Sequence, residues 1–420
     1  MRAKKSIIAI LAVLLILALP SKVVASDTKT LVNAHDLADA LGAAVRSEDG
    51  TIVLYQDIVI DQTIVFSDQY QSELTIDLNG YTIRNCTNNY ALKFTNGSTG
   101  SLTIEGTGRW ENSKAYGCYF AKWDARDHTE LKSLPKVYLN GDIEYVSTDQ
   151  PFFNGHSNME INNGMFRTKM ETVTSPYAAC TFDQDEEDYS SGGYLTINDG
   201  TFYSVCKFGG VVINGGEFKR KVYFEDRKNI ISSGEFRKGI YADADIKILG
   251  GSFYGDGIAF ENYSLENCVY EFRGGRVVSS GKYGIRINEM CYEYGNTKIT
   301  GGSVITTKKN AIGIAVFSGK VILQNVIVSS KNNDGKYGIY YAPTLKNSLY
   351  SEGLYVKQTS MSKIHCKGYK YGFGQTEEST GVRRIGKVII LAPQNEQKRY
   401  DKSSDIPYRI KGNIKIISKN

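Results

Sequence analysis

The sequence predicts an all-β chain wound into a solenoid of stacked parallel strands, and three observations carry that prediction. A short phrase recurs down the chain: an apolar residue, one or two small or polar residues, Gly, one more residue, then Phe or Val. A second alternating phrase follows each later copy. Apolar spacing at i, i+3, i+4, the mark of a buried helix face, is absent after residue 46.

The first phrase stands at Ile161-Asn162-Asn163-Gly164-Met165-Phe166 and again at residues 197–202, 213–218, 231–236, 248–253, 272–277 and 299–304. Successive copies start 36, 16, 18, 17, 24 and 27 residues apart. The second phrase occupies 257–260, 283–287, 312–316 and 337–341. Both alternate apolar with polar residues and are rich in β-branched and aromatic side chains, the pattern of half-buried strands. Gly and Asn between them supply the positive-φ positions at which a chain turns sharply. Strand, turn, strand, turn at such a period is one coil of a solenoid, and no coil buries its apolar face alone. A β-sandwich is the competing all-β architecture, but its strands would not repeat one phrase.

At the amino end, Arg2, Lys4 and Lys5 precede thirteen unbroken apolar residues, Ile7 to Leu19, which Pro20 ends; Val23-Val24-Ala25 offers small residues for cleavage. Residues 1–25 therefore read as a signal peptide, with an uncleaved N-terminal anchor as the alternative; the apolar run makes roughly 20 Å of helix, too short to span a bilayer core of about 30 Å comfortably. Lys+Arg number 50 and Asp+Glu 45, and loss of the leader's four basic residues brings the balance to 46 against 45. Near-neutrality argues against a nucleic-acid binder. With 23% charged and 41% hydrophobic residues, the chain is also no disordered polymer. No second apolar run is long enough to cross a membrane, so the mature chain is expected to be secreted or held at the cell surface. No sorting signal of the LPxTG type is present.

The opening strands, Thr51-Ile52-Val53-Leu54-Tyr55-Gln56-Asp57-Ile58 and then Leu74-Thr75-Ile76-Asp77-Leu78-Asn79-Gly80-Tyr81-Thr82-Ile83, resemble the first coils of pectin-lyase-like right-handed parallel β-helix proteins. The resemblance covers roughly residues 31–391 and is one of fold and repeat style. It implies a right-handed winding and an N-terminal capping helix. Residues 33–45 suit that helix, with Asn33 as N-cap, Asp36 at N3, and Leu37, Ala40, Leu41 and Ala44 on one face. The expected organisation is a signal peptide (1–25), a cap with a short amphipathic helix (26–48), a parallel β-helix (49–391) and a C-terminal cap or tail (392–420). Within that tail, residues 410–417 suit a closing strand.

Seven cysteines are dispersed, with no CxxC. Cys180/Cys206 and Cys268/Cys291 are each about one repeat apart and could face across neighbouring coils; buried, stacked thiols are the alternative.

Two coils are longer than the rest, one of 35 residues from Ile104 to Leu139 and one of 36 from Ile161 to Ile197. Insertions in a solenoid map to loops, often on the binding face, and these two are expected to leave one edge about 10 Å apart. The first carries Trp123, Asp124, Arg126, Asp127, His128 and Glu130. An aromatic ring beside carboxylates and a histidine suits a sugar site: Trp123 and Glu130 would bind, and Asp124, Asp127 and His128 are catalytic candidates. The second holds Asp183-Gln184-Asp185-Glu186-Glu187-Asp188. Asp183, Asp185, Glu186 and Asp188 are hard oxygen donors of the kind Ca²⁺ takes, although the Gly of an EF-hand loop is missing and a solvated acidic turn is the commoner meaning of such a run.

Tyr116, Tyr283, Tyr337 and Tyr371 each precede a Gly in the second phrase. They form either a sugar-binding platform, Tyr283 and Tyr337 foremost, or cross-strand packing. Arg286 and Asn288 alternate with Ile285 and Ile287, so both point outward. The resemblance makes Arg286 a further catalytic candidate, since lyases of the family use a basic residue with acidic or Ca²⁺ partners. The family's polygalacturonase pattern is present only in fragments, at Thr148-Asp149, Gly155-His156 and Arg409-Ile410-Lys411, without the paired aspartates of glycoside hydrolysis. Two functions stand at this point. One is a non-catalytic protein that binds extracellular polysaccharide or cell-surface glycan or presents an adhesive face at the cell surface; the other is a polysaccharide lyase or glycoside hydrolase.

Overall fold

The computed structural model describes residues 50–375 apart from 67–72, 95–99, 113–116, 121–135, 169–194, 263–267, 290–295, 342–352, 357–364 and a few gaps of one to three residues, together with 389–393 and 415–419. Among the described residues every regular element is a strand, without a helix, and the strands pair in parallel. The first coil lays Thr51–Val53 on one face, Ile58–Ile60 on a second and Ile64–Phe66 on a third. Each strand then pairs with its counterpart one coil later, as in a β-solenoid. The first face is a 13-stranded sheet and the second a 15-stranded sheet. The third is divided into a 4-stranded sheet ending at Phe153–Gly155 and an 8-stranded sheet running from Cys206–Phe208 to Tyr369–Gln375. At ~4.8 Å per strand, the 13 coils of the first face extend for roughly 60 Å.

The recurring phrase is one corner of the coil. Its leading residues, Ile197, Ile213, Ile231 and Ile248, are fully buried on the first face. Its closing Phe202, Phe218, Phe236 and Phe253 are equally buried on the second. The register puts like residues against like, Phe202 on Phe218 and Phe218 on Phe236. From Tyr145 through Phe166 to Phe253 the rings stack at 4.9, 4.8, 4.7, 4.7 and 4.9 Å, tilted by no more than 10°. The solenoid rise and the ring spacing coincide, so each coil adds one ring to a continuous interior column.

Between the two strands, the Asn side chains form a second column. Asn162 donates to Asn140 at 2.9 Å, Asn198 to Asn162 at 2.7 Å and Asn214 to Asn198 at 2.9 Å. Each amide serves as donor to one coil and acceptor to the next, adding about 1 kcal/mol per step. The Gly that follows cannot be replaced cheaply. Gly216 has φ 92°, and a Cβ there would stand 3.0 Å from the Gly200 carbonyl oxygen of the preceding coil.

The outer side of the second face carries charges in alternation. Arg109 bridges Glu144 at 2.6 Å, Glu144 holds Arg167 at 3.0 Å, and the Arg167 guanidinium lies 3.9 Å from the Tyr203 ring centre. Further along, Glu217 takes hydrogen bonds from Lys219 and Arg237, which hold its carboxyl below the ordinary value of 4.5. A depressed folded value stabilises above the unfolded pKa and loses that contribution as pH falls through the folded one. Wild type is therefore expected to exceed Glu217→Gln in stability by a few tenths of a kcal/mol near neutrality, since the pair is exposed. The gap should close below pH 4.5; melting curves against pH measure it, and a gap constant to acid would refute the pairing.

Several expectations fall outside the described residues: the leader (1–25), the capping helix (33–45), Cys180 and Cys291. Cys206 and Cys268 are buried, their thiols 3.5 Å from the Ser204 carbonyl and 3.9 Å from that of Asp243. At the carboxyl end, Lys415–Lys419 pairs with Ile389–Pro393 and prolongs the second face.

Candidate functional site

The third face is where outward side chains meet a concavity. The strands of its groove region point alternate residues inward, with Val222, Phe224, Ile240, Ala242, Ile258, Phe260, Ile285 and Ile287 all buried. The residues between them must project outward. Register aligns these as one column: Lys207, Tyr223, Tyr241, Ala259, Arg286, Ala315, Tyr340. Alanines flank Arg286 on both sides, so large side chains give way to small ones beside the tyrosines. A concavity of about 450 Å³ lies there.

One wall of the concavity is aromatic. The rings of Tyr223 and Tyr241 lie 5.5 Å apart at 46°. The Lys221 ammonium lies 5.9 Å from the Tyr223 ring centre and 3.8 Å from the Asp256 carboxylate. Burial, reinforced by the charges of Glu225 and Asp256, pushes the Tyr223 phenol above its ordinary value. Tyr223 therefore stays protonated and able to donate a hydrogen bond at neutral pH. Opposite, Arg286 is ion-paired to Glu261, whose side chain is only 5% exposed against 38% for the arginine. The guanidinium thus spends part of its fork on an inner carboxylate while keeping a solvent-facing side.

Tyr283 closes the rim. The Lys282 ammonium sits 5.1 Å from its ring centre, and Phe317 meets its edge at 5.7 Å. Farther along the same face Tyr337 stacks on Tyr340 at 4.8 Å and 19°, with Lys336 5.1 Å from the Tyr337 centre. Chemically the groove offers flat apolar rings, a phenol donor, two carboxylates and three cations. That combination covers a sugar's apolar face while its hydroxyls find charged partners.

Of the residues singled out in the sequence, Tyr283 and Arg286 are brought together here. Tyr337 lies two coils on. The pairing runs Tyr283, Ile312, Tyr337, Tyr371, so Ile312 interrupts the tyrosine column. Trp123, Asp124, Asp127, His128 and Glu130, and likewise Asp183, Asp185, Glu186 and Asp188, lie outside the described residues, as do Asp149, His156 and Arg409. Among the described residues no group of three His, Cys, Asp or Glu side chains is placed to hold a metal ion, and no helix is long and apolar enough to cross a membrane. Lys221, Tyr223, Tyr241, Asp256 and Glu261 were missed in the sequence. The recoverable signal was the central residue of the strands Val222–Phe224 and Ile240–Ala242, a Tyr at the same phase of consecutive coils.

Comparison with protein-family models, with curated proteins and with solved structures yields no match for this chain.

Proposed function

We propose that the protein is an exported, right-handed β-helix, capped by its N-terminal helix, that binds extracellular polysaccharide or cell-surface glycan without cleaving it. The third-face groove is its binding site. The observation that supports this reading most directly is the Tyr223–Tyr241 pair set beside the Arg286–Glu261 ion pair. The rings are laid along the solenoid axis, one per coil, so successive sugars of one chain would meet successive rings. The ion pair supports binding over chemistry, since the arginine and the nearest inner carboxylate are already engaged with each other. Ca²⁺ at the acidic loop around Asp183 would be an accessory to this role, tested by calorimetry near millimolar concentration.

A glycan array followed by calorimetry on the best ligand tests the proposal. Tyr223→Ala and Tyr241→Ala are each expected to weaken binding about tenfold, the loss of one aromatic contact of about 1–1.5 kcal/mol. Their melting temperatures should barely move, because both rings are on the outer side of the sheet. Unchanged affinity in both variants would overturn the groove as the site. Incubation with polysaccharides and mass spectrometry of the products tests the other half. Unsaturated or shortened oligosaccharides would overturn the non-catalytic reading in favour of a lyase or a hydrolase.

A further inference from the structure

The charge of this chain is nearly balanced as a whole but unevenly placed around the solenoid. The turns leading from the second face into the third carry Lys221, Lys238, Lys282, Lys308 and Lys309, and Lys336 stands near the start of the strand Gly335–Tyr341; all but Lys221 are exposed. Their acidic counterparts along that edge are Asp256 and Asp334. On the other side of the third face, the described residues of the turns leading back to the first include Glu225, Asp243 and Asp245 against the single cation Lys228. The corresponding turns between the first and second faces, built on Asn and Gly, are almost uncharged: residues 214–216, 232–234 and 249–251 bear no ionisable group.

The basic edge borders six successive strands of the third face, from Val222–Phe224 to Gly335–Tyr341. Those strands span about 24 Å at ~4.8 Å per step. The edge adjoins the groove through Lys221 and Lys282 and continues past it to the Tyr337–Tyr340 stack. A row of cations parallel to a row of aromatic rings, with carboxylates along the opposite edge, favours a linear anion laid on one side of the face and disfavours the other.

From this we infer that the ligand is an anionic polysaccharide lying along the solenoid axis, its acidic groups held by the lysine edge beyond the groove. The inference rests on the glycan-binding reading and adds to it the charge, direction and minimum length of the ligand. Carboxylate and sulfate groups would both satisfy the lysines, so the probes separate them.

The test uses the full chain with alginate (carboxylate only) and chondroitin sulfate, each as graded oligosaccharides, with dextran and a DNA duplex as comparisons. At least one acidic polymer is expected to bind, more tightly when long enough to cover the edge than as a disaccharide, and more weakly as salt rises. The triple variant Lys238→Gln/Lys308→Gln/Lys309→Gln, which leaves the groove lining intact, should weaken that binding at least ~10-fold and flatten its salt dependence. Unchanged affinity in the triple variant would sink the inference. So would preference for dextran, or a DNA duplex binding as tightly as the acidic glycans. Comparison with Tyr223→Ala separates the two readings. Loss in the lysine variant alone would keep the edge and remove the groove; loss in Tyr223→Ala alone would do the reverse.

Discussion

Phe236→Ala is expected to lower the unfolding free energy by about 3–5 kcal/mol, the range for removing a buried phenyl ring. Phe236 is fully buried between Phe218 at 4.7 Å and Phe253 at 4.9 Å, so its loss opens the column on both sides at once. Coils on either side cannot slide together to fill the gap, because the backbone ladder fixes their separation. Phe236→Leu should cost less, at about 1–1.5 kcal/mol, since it keeps most of the volume. Urea titration followed by near-ultraviolet circular dichroism measures both. In a solenoid each coil is stabilised mainly by its neighbours. The alanine variant should therefore also split the transition, with the coils before and after residue 236 unfolding separately. A single transition shifted by less than ~1 kcal/mol would mean that the rings do not stack as described.

The second large effect concerns the ion pair in the groove. Arg286→Met keeps the aliphatic stem but leaves the Glu261 carboxylate, 5% exposed, without its guanidinium. Breaking a buried pair from one side costs about 3–5 kcal/mol, and the half-exposed arginine places this case at the low end. Glu261→Gln in the same chain should return much of that loss, because the inner charge is removed along with its partner. The double-variant cycle is read by thermal and urea unfolding. No rescue by Glu261→Gln would show that Arg286 acts through packing and not through the pair. The same variants, assayed with the glycan selected on the array, separate a folding role from a binding role: Arg286→Met/Glu261→Gln should be stable yet bind more weakly.

The location of the groove explains why these residues serve both ends. An outward strand position costs the fold little, so the third face is free to carry tyrosines and charges. The inward positions on the same strands, Val222 to Ile287, hold the sheet rigid beneath them. Glu261 is an outward charged residue buried by its neighbours, and its charge must be compensated.

Much of this fold was legible in the chain itself. The phrase closing on Phe202, Phe218, Phe236 and Phe253 announced both a corner and an inward ring, because period-two alternation is a local property that needs no knowledge of the neighbouring coil. The turn glycines were legible for the same reason: positive φ is a requirement of single residues. Tyr283 was singled out by its place before a Gly in the second phrase, and Arg286 by alternation, which points it outward, together with the family resemblance. Tyr223, Tyr241, Asp256 and Glu261 were not, although each sits on a readable strand or turn. Whether they meet depends on how coils of unequal length stack. Residues 223, 241, 259 and 286 share a column despite separations of 18, 18 and 27. The extra residues of the longer coil are taken up at its turns, and hydrogen bonding between coils sets the register. That pairing is a non-local decision. It places alanines on either side of Arg286, opens the groove there, and gathers lysines from distant turns along one edge. The sequence by itself therefore determined the kind of fold and the inside and outside of each strand. Only the tertiary structure decided which outward residues became neighbours, because register between coils is set by pairing across the whole stack and not by any one strand.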